Sequence, residues 1–141
     1  MEFTAGESGD RREANQPSRK TAFTERVLIV DDDPSVTHLL GRLLRRKGFV
    51  VREENDSRLA LQAAREFLPG VVVLDYQMPV LDGAEVAWAL TGDPVCRTAR
   101  LIICSAMPRM IFASKLPPSV PSFEKPVPLD DLLALIRGEP S

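Results

Sequence analysis

The sequence predicts an α/β fold built on a parallel β-sheet, and three observations carry that expectation. Val71-Val72-Val73-Leu74-Asp75 is an unbroken apolar run into one carboxylate, bounded by Pro69-Gly70 and Met78-Pro79. Such a run reads as a strand buried on both faces, which a parallel sheet covered by helices requires. Val27-Leu28-Ile29-Val30 and Leu101-Ile102-Ile103-Cys104 are runs of the same kind, and each also ends in polar residues. Segments with apolar residues at helical spacing alternate with these strands, which implies βαβ units with right-handed crossovers.

A chain of 141 residues accommodates one domain with a substantial core. Hydrophobic residues at 44% and charged residues at 27% fit a soluble globular protein. The formal net charge of −2 gives no general reason to expect binding to nucleic acid or to anionic membranes. No apolar run approaches the ~20 residues of a membrane span. The first residues also lack the apolar stretch of a secretory signal. Cys96 and Cys104 are the only cysteines, without metal-ligand spacing or a disulfide framework, so a reducing, cytoplasmic setting is expected.

In chain order, residues 1–25 are small, polar and charged, and a disordered tail is expected because they offer little surface to bury. Arg11, Arg12, Arg19 and Lys20 suggest a basic binding arm, but Glu2, Glu7, Asp10 and Glu13 interleave with them, so a solvated tail is the expectation. The Val27–Val30 strand runs into Asp31, Asp32 and Asp33, and Pro34 suits the first turn of a helix. Val36, Leu39, Leu40, Leu43 and Leu44 give that helix its apolar stripe, and Lys47-Gly48 supplies its stop. Phe49-Val50-Val51 is the next strand. Asp56 or Ser57 caps a helix through Phe67. After the Val71–Asp75 strand comes a loop to Gly83, supported by Asp82, and then a helix over about Ala84–Leu90. Trp88 is expected to pack partly into the core there, and Cys104 to be an inert core thiol. His38 lies off the stripe of its helix and reads as an exposed neutral histidine. Leu101–Cys104 ends in Ser105, Ser122-Phe123-Glu124 is a weak fifth strand, and Leu129–Ile136 is the last helix. The expected layout is a tail over 1–25, a folded domain over 26–138 and a stub over 139–141.

In a parallel sheet the strand carboxyl ends share one edge, so Asp31, Asp32, Asp75, Ser105 and Lys125 should converge there. Three carboxylates from two strands make a hard oxygen site suited to Mg²⁺. A cation also relieves the mutual repulsion that otherwise raises clustered carboxylate pKa values. Asp75, a metal, a lysine and a hydroxyl together match phosphoryl transfer to a carboxylate. The carboxylate attacks, the metal and ammonium absorb phosphoryl charge, and Ser105 hydrogen-bonds the product.

The blocks Val27–Pro34, Asp75-Tyr76-Gln77-Met78-Pro79 with Asp82-Gly83, Ser105-Ala106 and Lys125-Pro126 together resemble the receiver domain of two-component response regulators, of the single-domain CheY-like type. The resemblance covers about Arg26–Arg137. It implies a flavodoxin-like, doubly wound five-stranded sheet of order 2-1-3-4-5. It implies that Asp75 is the phosphoacceptor, supplied by a histidine kinase or a histidine phosphotransfer protein. It gives the Mg²⁺ to Asp31, Asp32, Asp75 and the Gln77 backbone carbonyl, makes Ser105 the hydroxyl switch and Lys125 the phosphate-contacting lysine, and implies a cis Lys125–Pro126 bond.

Two features depart from that pattern. The family's aromatic switch position holds Ser122 here. Pro108, Pro117, Pro118 and Pro121 also confine the fourth helix to roughly Arg109–Lys115, because proline lacks a backbone donor and disfavours helix before it. The expected function is a phosphoacceptor module that signals through contacts with an output protein, with slow self-hydrolysis as its only enzyme-like behaviour. The alternative is a receiver-like scaffold that acts without phosphorylation. A Mg²⁺-dependent phosphohydrolase is disfavoured because Gln77 stands where an Asp-x-Asp acid/base partner would. Only Gly138–Ser141 follow the last helix, so an effector domain is not expected. The acidic balance and lack of a dense basic face argue against direct nucleic-acid contact, and the lack of an apolar span against membrane contact.

Overall fold

The computed structural model describes residues 26–139. The expected tail over 1–25 lies outside the described residues, as do residues 140–141. Five parallel strands form one sheet: β1 (Arg26–Val30), β2 (Val50–Glu54), β3 (Val71–Asp75), β4 (Arg100–Ser105) and β5 (Ser122–Glu124). Their spatial order is β2-β1-β3-β4-β5, the expected doubly wound order. The helices are α1 (Pro34–Arg46), α2 (Ala60–Phe67), α3 (Gly83–Gly92), α4 (Arg109–Phe112) and α5 (Leu129–Arg137). Single 3₁₀ turns over Ser57–Leu59 and Ala113–Lys115 precede α2 and follow α4. No helix among the described residues is long and apolar enough to cross a membrane.

The period-two alternation of the central strands divides the core into two layers. Leu28, Val30, Val72, Leu74, Leu101 and Ile103 face α2, α3 and Phe112 of α4. Val27, Ile29, Val71, Val73 and Ile102 face Leu44 of α1 and Leu132, Leu133 and Ile136 of α5. All five residues of β3 are buried, as its unbroken apolar run requires.

Three elements differ from the sequence reading. The second strand is Val50–Glu54 and omits Phe49. It is an edge strand paired only with β1, and its charged half is held by Arg45 against Glu53 and by Glu66 against Arg52. Helix α1 turns Thr37, Gly41 and Leu44 inward, while Leu39 of the expected stripe is exposed. A Cβ at Gly41 would stand 2.7 Å from the Glu53 carboxylate, so a larger residue there would have to displace that side chain. Trp88 is 54% exposed rather than core, and its indole N–H donates to the Lys115 carbonyl at 3.0 Å. The fourth helix is as short as its prolines dictate.

Candidate functional site

The site stands at the carboxyl edge of the sheet, where β1 and β3 lie side by side. Asp31 follows the last residue of β1 and is buried. Asp33 takes no part in the cluster: its carboxylate caps α1 by accepting the Ser35 N–H at 3.0 Å. Asp75 is the last residue of β3 and is 9% exposed. Its loop is closed by Gly83, whose N–H donates to the Tyr76 carbonyl. A Cβ at Gly83 would sit 2.5 Å from the Asp75 carbonyl oxygen, so only glycine brings α3 this close to Asp75. Asp82 caps α3 and exchanges hydrogen bonds with Glu85, which explains its place in the motif without a metal.

Asp31, Asp32 and Asp75 each offer a carboxylate oxygen, and these oxygens lie within 4.8 Å of one another. Lys125 reaches in from the loop after β5, with Nζ 3.0 Å from Asp31 Oδ2 and 3.5 Å from Asp75 Oδ1. The Lys125–Pro126 bond is cis. Burial is the main force on Asp75. Lys125 pulls its pKa down while Asp31 and Asp32 push it up, and the balance leaves it raised to about 6. For Lys125, burial works against the charge, but the hydrogen bond to Asp31 and the charges of Asp75 and Asp31 outweigh it and raise its pKa. One ammonium thus faces three carboxylates. A divalent cation fits this set, since it adds positive charge among hard oxygen donors.

Ser105 ends β4, fully buried, one residue beyond Cys104, which pairs with Asp75 in the sheet. Its hydroxyl accepts the Met107 N–H at 3.2 Å and its carbonyl accepts the Lys125 N–H at 2.7 Å. Gln77 lies in the exposed turn that follows Tyr76. The structure therefore brings Asp31, Asp32, Asp75 and Lys125 into one cluster and sets Ser105 on the adjoining strand end. Cys104 is buried beside them, and burial first of all pushes its thiol up to about 11, so it stays protonated and unreactive.

Other residues near the site have no signal in the linear sequence. Asn55 Nδ2 donates to the Asp31 carbonyl at 2.8 Å and to Thr37 Oγ1 at 2.9 Å. The Ser57 hydroxyl donates to the Pro79 carbonyl at 2.8 Å and accepts the Leu81 N–H at 3.2 Å. In sequence, Asn55-Asp56-Ser57 reads only as a helix start. Phe112 of α4 stacks on Tyr76, with ring centroids 4.9 Å apart. Ser122, at the expected aromatic position, is held by Arg109 Nε, which is 3.0 Å from both its carbonyl and its hydroxyl. An apolar cleft of about 570 Å³ opens between α1 and α5, with Asp31, Asp75 and Lys125 among its walls.

Known proteins resemble this chain in the same terms. The transcriptional regulatory protein PrrA of Mycobacterium tuberculosis is 48% identical over 75 residues, covering 50% of this chain and 32% of PrrA. The DNA-binding response regulator MtrA of Mycolicibacterium smegmatis is 41% identical over 69 residues, covering 49% of this chain and 30% of MtrA. The chain thus spans about a third of the length of these curated relatives. A Burkholderia pseudomallei response regulator, solved with a phosphorylated aspartic acid and a calcium ion, superposes with a TM-score of 0.71 at 20% identity, covering 79% of this chain and 65% of that one. At that identity the likeness speaks for the fold. The model of the response regulator receiver domain matches residues 27–137, and the chain belongs to that family.

Proposed function

We propose that Asp75 is the phosphoacceptor of this receiver domain and that Asp31, Asp32, Asp75 and the Gln77 backbone carbonyl hold a Mg²⁺ ion. The observation that carries this reading is the buried Asp75 carboxylate at a strand end, 3.5 Å from the Lys125 ammonium and clustered with two further carboxylates. With a pKa of about 6, Asp75 is ionised at neutral pH and able to act as a nucleophile. One of its oxygens attacks the phosphorus of a phosphohistidine. The P–N bond breaks, the imidazole leaves and takes up a proton, and an acyl phosphate remains. Lys125 pairs with a phosphoryl oxygen, and Ser105 donates its hydroxyl proton to another once its loop moves. The metal, when bound, neutralises phosphoryl charge during the transfer.

The phosphodonor is a histidine kinase or a histidine phosphotransfer protein, and the domain, over 26–138, hands its signal on through contact with an output protein in the cytoplasm. DNA binding belongs to the name of MtrA; the output proposed for this domain is a protein contact. Phosphate acceptance and slow self-hydrolysis are the only chemistry assigned to it. The constitutive-scaffold reading retains one supporting observation, the Arg109 clamp on Ser122 where the aromatic switch is missing.

Incubation with acetyl phosphate and Mg²⁺, followed by intact mass, tests the proposal. Wild type should gain the mass of one phosphoryl group, and Asp75→Asn should gain none while remaining folded. Equal labelling of the variant would place the acceptor elsewhere.

A further inference from the structure

We propose that Asn55 and Ser57, in the β2–α2 loop, are positioning residues that clip together the two loops bearing the metal ligands and so set the metal affinity of the domain. This rests on the reading of Asp31, Asp32 and Asp75 as the metal-holding groups.

Those carboxylates come from separate loops, one after β1 and one after β3. A metal held between them requires both loops to keep a fixed spacing. The β2–α2 loop touches each. The Asp31 N–H donates to the Glu54 carbonyl at 3.1 Å, and the Asp31 carbonyl accepts from Asn55 at 2.8 Å. Both backbone polar groups of Asp31 are therefore held by consecutive residues at the end of β2. The second amide hydrogen of Asn55 goes to Thr37 Oγ1, whose own proton is directed at the Pro34 carbonyl, 3.2 Å away. Both partners of Asn55 are thus acceptors. Only the NH₂ end of the carboxamide satisfies them, so its orientation is determined.

Ser57 performs the same task on the other loop. It is buried, and its hydroxyl spans the turn at Val80 by bonding the Pro79 carbonyl and the Leu81 N–H. Val80 has a φ of 72°, a left-handed conformation that a β-branched residue resists. A conformation of that kind persists where its surroundings hold it. The Ser57 hydroxyl supplies two of the bonds that hold this turn, just beyond Gln77.

A positioning role differs from a purely structural one in a defect that metal can restore. Loss of the clip should weaken metal binding and leave the chemistry intact once metal is saturating. The test uses the full chain as wild type, Asn55→Ala, Ser57→Ala and the double variant, each checked for folding by circular dichroism. Affinity is read from the paramagnetic resonance of free Mn²⁺, with Mg²⁺ in competition. The double variant should bind about 10-fold more weakly, the scale of losses when groups behind metal ligands are removed. Its labelling by acetyl phosphate should lag at low Mg²⁺ and return to the wild-type rate at saturating Mg²⁺. Each single variant should fall between, so the prediction survives if the double variant does not fold. Folded variants with wild-type Mn²⁺ affinity, or with slow labelling that saturating Mg²⁺ does not restore, would overturn the proposal. A wild-type protein that binds neither ion would instead remove the metal reading, and this inference with it.

Discussion

Asp75 carries a conflict between burial and charge that has a measurable consequence. Its folded pKa of about 6 lies above the ordinary 3.8, chiefly because burial disfavours the carboxylate. Between those values the folded state binds more protons than the unfolded state. Stability therefore falls as pH rises through that window, and the whole cost stands above the folded pKa. Asp75→Asn removes a penalty on the order of 3 kcal/mol, at 1.36 kcal/mol per pKa unit. In EDTA, the thermal midpoint of Asp75→Asn should exceed that of wild type above about pH 7, and the gap should close toward about pH 4. Circular dichroism melts across that range check both parts, and a gap independent of pH would contradict the assignment. The ion pair of Lys125 with Asp31 persists in the variant, which is why the expected change is a gain in stability.

At the scale of elements, α4 shows how the fold accommodates a missing aromatic. Proline at 108 and at 117 bounds a stretch with room for one turn of α-helix and one of 3₁₀. Phe112 projects inward from it, fully buried, and stacks on Tyr76, the neighbour of Asp75. Arg109, at the other end of the turn, bonds Ser122 through its guanidinium and Glu124 through its backbone N–H. The two anchors contribute unequally. Phe112→Ala removes a buried ring and should cost about 3–5 kcal/mol in urea unfolding. Arg109→Ala removes hydrogen bonds at an exposed side chain and should cost only about 1 kcal/mol. A Phe112→Ala protein as stable as Arg109→Ala would show that the stack does not anchor α4.

Across the whole molecule, the site and α4 share a border. Ser105 ends β4, and the loop that follows leads directly into Arg109 and the turn carrying Phe112. Attraction of the Ser105 hydroxyl toward a phosphoryl group on Asp75 would pull on that loop and bias the segment beyond it. No aromatic at 122 exists to carry the change across β5. Amide hydrogen exchange with beryllofluoride and Mg²⁺ should therefore show altered protection at the Asp31 and Asp75 loops and across 105–121. Protection confined to the two acidic loops would favour the scaffold reading.

By itself the sequence determined the central strands, the carboxyl-edge placement of Asp31, Asp32, Asp75, Ser105 and Lys125, and the shortness of α4. Each of these is written locally. A strand buried on both faces must be an apolar run, a strand-end carboxylate follows that run directly, and proline acts on its own backbone. The tertiary structure alone decided the extent of β2, the inward face of α1, the exposure of Trp88, the hydrogen-bond partners of Asn55 and Ser57 and the stacking of Phe112 on Tyr76. Arg52, Glu53 and Glu54 extend β2 because their backbone pairs in register with Leu28, Ile29 and Val30 of β1, while Glu66 and Arg45 partner two of the charges. Asn55 meets Asp31 across 24 positions in sequence, and Ser57 meets Pro79 across 22. A polar side chain has many possible partners, and only the packed sheet selects one, because the hydrogen bond requires a distance and an angle that the linear order of residues does not contain.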